Sequence, residues 1–369
     1  MQAPELKLQP IEQTVPELFE VAGVTYFEPD QASHAIRQYP GLVPVAITPE
    51  PRVVWLDVGD YRFKEWKFRY AIRNVLDHQG LGSCFSTHLP FLGQADNVLT
   101  DNVPPGGFVF HMSKCGSTLM AKALAAPTPY ISISEASPLH ENFWQYLTQG
   151  WSSAVELTDT NLALIRNLIL AMGRRRLREQ QHYFVKFRSW NINFIKAIQS
   201  AFPETPCLFM YREPAEVLVS SLYKSNMGQS RLKESQAGAF MTGCPTAELR
   251  GLSDLHYFTR LHQRHMTAAL TEAAAPMHYL NYRQLTQQNF PRILEAAFGH
   301  RPAMEDLPLM LEQFEHYAKD DSGATRFVPD SGEKQRLVTP EVRAVADRDL
   351  MQLYGLLEDS PLNLNRVLQ

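Results

Sequence analysis

The chain has 369 residues, is 44% hydrophobic, and sets 35 Lys and Arg against 39 Asp and Glu, for a net charge of −4. Such a length buries one large core or two smaller ones, and the charge balance excludes a protein that wraps nucleic acid over a broad basic face. The four cysteines (Cys84, Cys115, Cys207, Cys244) are scattered and form no Cys-x-x-Cys pair, which argues for reduced thiols rather than zinc or a disulfide framework.

The opening "MQAPELKLQPIEQTVPELFE" has no basic segment leading into an apolar core, so no signal peptide is expected. No run approaches the roughly 18 apolar residues of a membrane span. The expectation is a soluble, cytoplasmic protein with neither membrane nor nucleic acid as partner. Roughly the first forty residues are proline-rich and read as irregular. "RVVWLDV" (52–58) then reads as a strand, and Phe63, Trp66 and Tyr70 fall at helical spacing, as the core face of an accessory helix. A second irregular stretch, 93–107, contains "VPPGG", a natural junction. Residues 1–100 are therefore set apart as an N-terminal accessory region and 101–369 as the main domain.

Beyond the junction, strands and helices alternate. "GFVFHM" (107–112) reads as a strand, followed by a helix that stops before Pro127, and "YISIS" (130–134) is a short strand. Leu162, Ile165, Ile169 and Met172 mark one face of a helix capped at Thr158 or Asp159. Then come strand "HYFVKF" (182–187), helix 191–201, strand "PCLFMY" (206–211) and helix 215–225. This order predicts an α/β fold, a central parallel sheet covered by helices on both faces. "RRRLR" (174–178) reads as the solvated end of a 159–178 helix, its cations complementing the dipole. Segment 226–251 is the least regular, either a mobile loop over a pocket or a surface insertion. Helical patterns return at 252–273 and at 341–357, the second capped by Thr339-Pro340-Glu341.

Chemistry concentrates in two places. Ser113-Lys114-Cys115-Gly116-Ser117-Thr118 lies between a strand and a helix. The backbone N–H groups of such a turn, with a helix N-terminus behind them, form an anion cradle. Gly116 admits the ligand to the backbone, Ser117 and Thr118 add hydroxyls, and Lys114 adds charge. The Gly-Lys-Ser/Thr order of the common nucleotide loop is absent, because here the lysine precedes the glycine. The second place is "REPAEVLVSSLYK" (212–224), with Arg212 ending a strand and Ser220 on the next helix. Open parallel sheets bind ligands off those strand ends, and the planar guanidinium suits a second phosphate. That strand ends in Tyr-Arg where a kinase or hydrolase keeps a metal-binding carboxylate, which points to phosphate chemistry without a metal.

Taken together, "HMSKCGSTL" and "YREPAEVLVSSLY" resemble the 5′-phosphosulfate loop and the 3′-phosphate motif of the bacterial type of sulfotransferase dependent on 3′-phosphoadenosine 5′-phosphosulfate (PAPS). The likeness covers roughly residues 106–300. It implies a P-loop-like fold, PAPS as donor without a metal, and sulfuryl transfer to a hydroxyl or amine of a small-molecule acceptor. By position, Ser113, Lys114, Cys115, Gly116, Ser117 and Thr118 would hold the 5′-phosphosulfate, and Arg212 and Ser220 the 3′-phosphate. Lys334, in "FVPDSGEKQRL", falls where the family returns a basic loop to the 3′-phosphate. Ser113 departs from the usual proline and Cys115 from the usual serine or glycine; Cys115 reads as space-filling rather than reactive.

In this reading Lys114 neutralises the charge on the leaving phosphate, and the acceptor needs a base within hydrogen-bond reach. The family uses a histidine or a glutamate, so Glu135 and His140, both in "YISISEASPLHENF", are rival candidates. Lys186 and Arg188, in "VKFRSW", end another strand and either face the ligands or make ion pairs. The acceptor pocket is expected from 135–150, 226–251 and the N-terminal region, with Phe143, Trp144 and Tyr146 as an aromatic wall or as core. His256, His262 and His265 read as packing or surface residues rather than metal ligands. Two other readings stay open: a P-loop kinase or NTPase with an altered loop, and a non-catalytic nucleotide-binding protein of the same fold.

Overall fold

The computed structural model describes residues 9–10, 24–78, 83–223 and 230–368. Apart from Gln9–Pro10, the opening stretch read for a signal peptide lies outside them, as do 224–229 at the start of the irregular segment. In the N-terminal region β1 (Gln9–Pro10), β2 (Leu42–Ile47), β3 (Arg52–Asp57) and β4 (Ser83–His88) form an antiparallel sheet in the order β1-β4-β3-β2. Two helices accompany it, α1 (Pro29–Gln38) and α2 (Phe68–His78). The proline-rich start is thus more ordered than its composition predicts. Pro29 opens α1, where its missing N–H costs nothing, and the Glu28 N–H donates to Gln31 Oε1 at 3.0 Å.

The main sheet follows the predicted alternation in four strands and adds a fifth, at 278–281, that the sequence reading does not mark. Its strands are β5 (Pro105–His111), β6 (Tyr130–Ser134), β7 (His182–Lys186), β8 (Cys207–Tyr211) and β9 (His278–Asn281). All pair in parallel, in the order β6-β7-β5-β8-β9. Side chains alternate between the faces of a strand, and both faces are covered. Phe108 and Phe110 of β5 and Phe209 and Tyr211 of β8 enter one core, while Val109, Leu208 and Met210 enter the other. Strands buried on both sides read as unbroken apolar runs, which is why these were legible.

The intervening helices are α3 (Ser117–Ala125), α4 (Glu141–Leu147), α5 (Asp159–Met172), α6 (Ile195–Ala201) and α7 (Pro214–Tyr223). Leu119, Met120, Ala123 and Leu124 of α3 pack on one face with helix Phe290–Phe298. Helices α5, α6 and α7 cover the other, in a core continuous with that of the N-terminal sheet. The molecule is therefore an α/β protein of helix, parallel sheet and helix, carrying an antiparallel sheet on one side.

Three helical expectations change. Helix α5 starts at the Thr158 cap but ends at Met172, and Gly173 follows because a Cβ there would lie 2.4 Å from the Tyr183 ring. "RRRLR" is consequently not a solvated helix end. Arg174 is 1% exposed and donates to the carbonyls of Ile36 (2.6 Å), Tyr39 (2.9 Å) and Leu42 (2.9 Å). Segment 226–251, from Ser230 onward, is not irregular: it holds helices Gln236–Thr242, capped by Ser235, and Thr246–Gly251. The 341–357 pattern divides at Leu350 into Pro340–Asp349 and Met351–Asp359. Among the described residues no helix is long and apolar enough to cross a membrane.

Candidate active site

Because the five strands are parallel, their C-terminal ends share one edge, and residues at or just past the ends of all five line a single cavity of about 530 Å³. A volume of that order suits a nucleotide-sized ligand. At the end of β5 the chain enters the loop in an unusual backbone conformation: φ is +96° at Ser113, +53° at Lys114 and +81° at Gly116. Among the described residues five non-glycine positions have positive φ, and three of them (Ser113, Lys114, Glu135) line this cavity. Such conformations persist where surrounding structure imposes them, and they gather at functional sites.

His111 is one source of that imposition. Its Nδ1 accepts from the Ser113 N–H at 3.1 Å, while Nε2 donates to the Phe187 carbonyl at 3.1 Å, which fixes the neutral tautomer. Burial holds its pKa well below the usual histidine value. At Gly116 an added Cβ would come within 2.8 Å of the Tyr282 ring and 2.9 Å of Leu285, so only glycine fits between loop and neighbour. No side chain caps the N-terminus of α3. That leaves the helix end and its partial positive charge directed at the cavity. Cys115 is buried and its Sγ donates to the Met210 carbonyl at 3.2 Å; burial pushes its thiol up to about 11, so it packs rather than reacts.

On the β8 side, Arg212 is buried and its guanidinium lies 4.1 Å from the centre of the Tyr282 ring. It donates through Nε to Glu216 (2.6 Å), through Nη2 to Asp330 (2.9 Å) and Ser331 (3.0 Å), and through Nη1 to the Lys114 carbonyl (3.4 Å). Lys334, on helix Ser331–Leu337, reaches the same Asp330 at 2.9 Å. Ser220 of α7 lines the cavity beside them. The Asp330 carboxylate thus bridges Arg212 and Lys334.

On the β6–β7 side, the Glu135 carboxylate meets Lys186 Nζ at 2.5 Å and Lys67 Nζ at 3.4 Å. Burial alone would raise its pKa, but Lys186, Lys67 and Arg188 outweigh that and hold it well below the usual carboxylate range. Of the two candidate bases only Glu135 lines the cavity. His140 sits behind it, with its Nε2 buried and unpartnered and its ring 6.1 Å from that of Trp190. Phe143 and Trp144 belong to the core, Trp144 stacked 3.9 Å from Phe194, and neither they nor Tyr146 reach the cavity. His262 and His265 are buried on helix Asp254–Thr271, and among the described residues no cluster of His, Cys, Asp or Glu is arranged to hold a metal.

The cavity also takes residues that the motifs did not single out. Trp66, Lys67, Arg69 and Tyr70 form a wall from the N-terminal region. Trp66 and Tyr70 therefore face the cavity instead of forming the core face expected of them, whereas Phe63 is buried. The sequence did carry a signal, since "WKFRY" (66–70) interleaves aromatic and basic residues. Tyr282 directly follows β9, so the strand-end rule that located Arg212 locates it too. Asp330 had no such signal.

No family model matches the chain, and no curated protein matches it by sequence. Among solved structures it is similar to a sulfotransferase domain from the curacin biosynthetic pathway, at 14% identity, covering 67% of this chain and 98% of that one, with a TM-score of 0.37. A likeness that slight carries no argument, and the fold description rests on strand order and packing alone.

Proposed function

We propose that the protein is a sulfotransferase that moves a sulfuryl group from PAPS to a hydroxyl or amine of a small-molecule acceptor. One observation carries the reading: the loop at the end of β5, the Arg212–Lys334 anion site and the Glu135 carboxylate all line one cavity. The residues present suit the donor. The α3 N-terminus and Lys114 would hold the phosphosulfate, and Arg212, Ser220 and Lys334 the 3′-phosphate, which would take the place of Asp330.

The donor supplies an activated sulfuryl group. The acceptor's oxygen or nitrogen bonds to sulfur as the bond from sulfur to the phosphate oxygen breaks, and that electron pair leaves with adenosine 3′,5′-bisphosphate. Glu135, ionised, takes the acceptor's proton. Lys114 and the loop N–H groups stabilise charge on the departing phosphate, the contribution that grows toward the transition state. His111 fixes the loop that presents them.

The test is incubation with ³⁵S-labelled PAPS and a fractionated cell extract, followed by mass spectrometry for an added SO₃. Label should pass to an acceptor with the wild-type chain, and Lys114→Met, still folded, should lower that transfer by about 100-fold or more. Absence of transfer, or an unaffected variant, contradicts the reading.

A further inference from the structure

The cavity's charge is distributed unevenly between its two flanks. Around it stand eight Lys and Arg side chains against two carboxylates, Glu135 and Asp330, in a chain whose net charge is −4. The donor reading accounts for Lys114, Arg212 and Lys334 on the β5–β8 side. The β6–β7 side keeps Lys67, Arg69, Lys186, Arg188 and Lys319 against Glu135 alone. Lys186 and Lys67 pair with that carboxylate.

Arg69 and Arg188 make no salt bridge among the described residues, and Arg188 acts on Glu135 only from beyond contact distance. Each guanidinium lies over an aromatic ring, Arg69 5.1 Å from the centre of Tyr70 and Arg188 5.9 Å from that of Trp190. Arg188 is half-buried, where a cation gains from an anionic partner that replaces lost water. The Trp66 and Tyr70 rings stand 5.3 Å apart, centre to centre, and Lys67 and Lys319 lie over Trp66 at 4.5 and 5.5 Å. The wall is pinned beside Glu135, because Ser134 Oγ donates to the Trp66 carbonyl at 2.9 Å.

We infer that this wall is an acceptor subsite, and that the acceptor is a planar molecule carrying an anionic group (carboxylate, sulfate or phosphate) besides the group that is sulfated. Arg69 and Arg188 bind the anion, Trp66 and Tyr70 the planar part, and Glu135 faces the acceptor hydroxyl or amine. This gives the N-terminal region a role, as one side of the acceptor site. The inference rests on the donor reading above only for calling the ligand an acceptor.

The experiment is calorimetric titration of the full chain with 1-hydroxy-2-naphthoate and with its neutral methyl ester, with and without saturating adenosine 3′,5′-bisphosphate. The acid should bind about tenfold or more tightly than the ester, as a charge-assisted hydrogen bond provides, and should bind alongside the bisphosphate. Arg69→Gln/Arg188→Gln should abolish that difference while the bisphosphate still binds as in the wild type, which also reports an intact fold. Equal binding of acid and ester, or a preference that survives in the variant, overturns the inference. So does displacement of the acid by the bisphosphate, which would place it in the donor cradle. If the bisphosphate fails to bind but the acid's preference and its loss in the variant remain, the anion subsite stands and the donor reading falls.

Discussion

Glu135 is held between opposing effects. Burial favours its neutral form, and Lys186, Lys67 and Arg188 favour the carboxylate more strongly. Its folded pKa is therefore depressed, so its ionisation contributes stability above the unfolded value of about 4.3 and that contribution is lost as pH falls through the folded value. Across neutral pH it is ionised, and the same cations weaken it as a proton acceptor. Glu135→Gln should lower kcat by roughly 10²–10⁴-fold with donor affinity unchanged. Lys186→Met removes the strongest cation, so Glu135 should ionise at higher pH and the acid limb of kcat should move upward in pH. An acid limb that stays in place in the Met variant would show that Lys186 does not set the state of Glu135. The pair was only half legible: both residues ended strands in the sequence, but contact between them depends on β6 lying beside β7 in register, Ser134 opposite Lys186.

At the level of elements, two arginines fasten the N-terminal region to the main sheet. Arg62 donates to the carbonyls of Ala125 (3.0 Å) and Ala126 (2.8 Å), at the C-terminal end of α3, where a cation complements the dipole. Arg174 satisfies three carbonyls from α1 and the turn into β2. Arg174→Met leaves those carbonyls short of donors and should cost about 2–4 kcal/mol, measured by denaturant unfolding; a loss under 0.5 kcal/mol would show that the seam does not depend on it. Helix α5 also shows where sequence reading stops. Its start was written in Thr158 and its face in Leu162, Ile165 and Ile169, all local signals. Its end is set by the Tyr183 ring against Gly173, a contact 10 residues away that no periodicity encodes. The same applies to "RRRLR": a run of cations reads as solvated until tertiary structure supplies carbonyls to receive one of them.

Across the whole molecule, β5 divides the cavity. Its loop lies between β8, which brings Arg212, and β7 with β6, which bring Lys186, Arg188 and Glu135. The donor flank could be read from the sequence because its groups sit in two short segments, each a strand, a turn and a helix start. The facing flank could be read only in part: Glu135, Lys186 and Arg188 come at strand ends, but Trp66, Lys67 and Arg69 reach it from α2 and the turn before it, and on the donor flank Asp330 comes from a distant loop. The proposed function requires the cavity to hold a nucleotide phosphorylated at both 3′ and 5′ positions. Calorimetric titration with adenosine 3′,5′-bisphosphate, adenosine 5′-monophosphate and ATP·Mg²⁺ tests it directly. The bisphosphate should bind without metal at least about 100-fold more tightly than the monophosphate, with most of that preference lost in Arg212→Gln. Equal affinity for bisphosphate and monophosphate, or a preference for ATP·Mg²⁺, would contradict it.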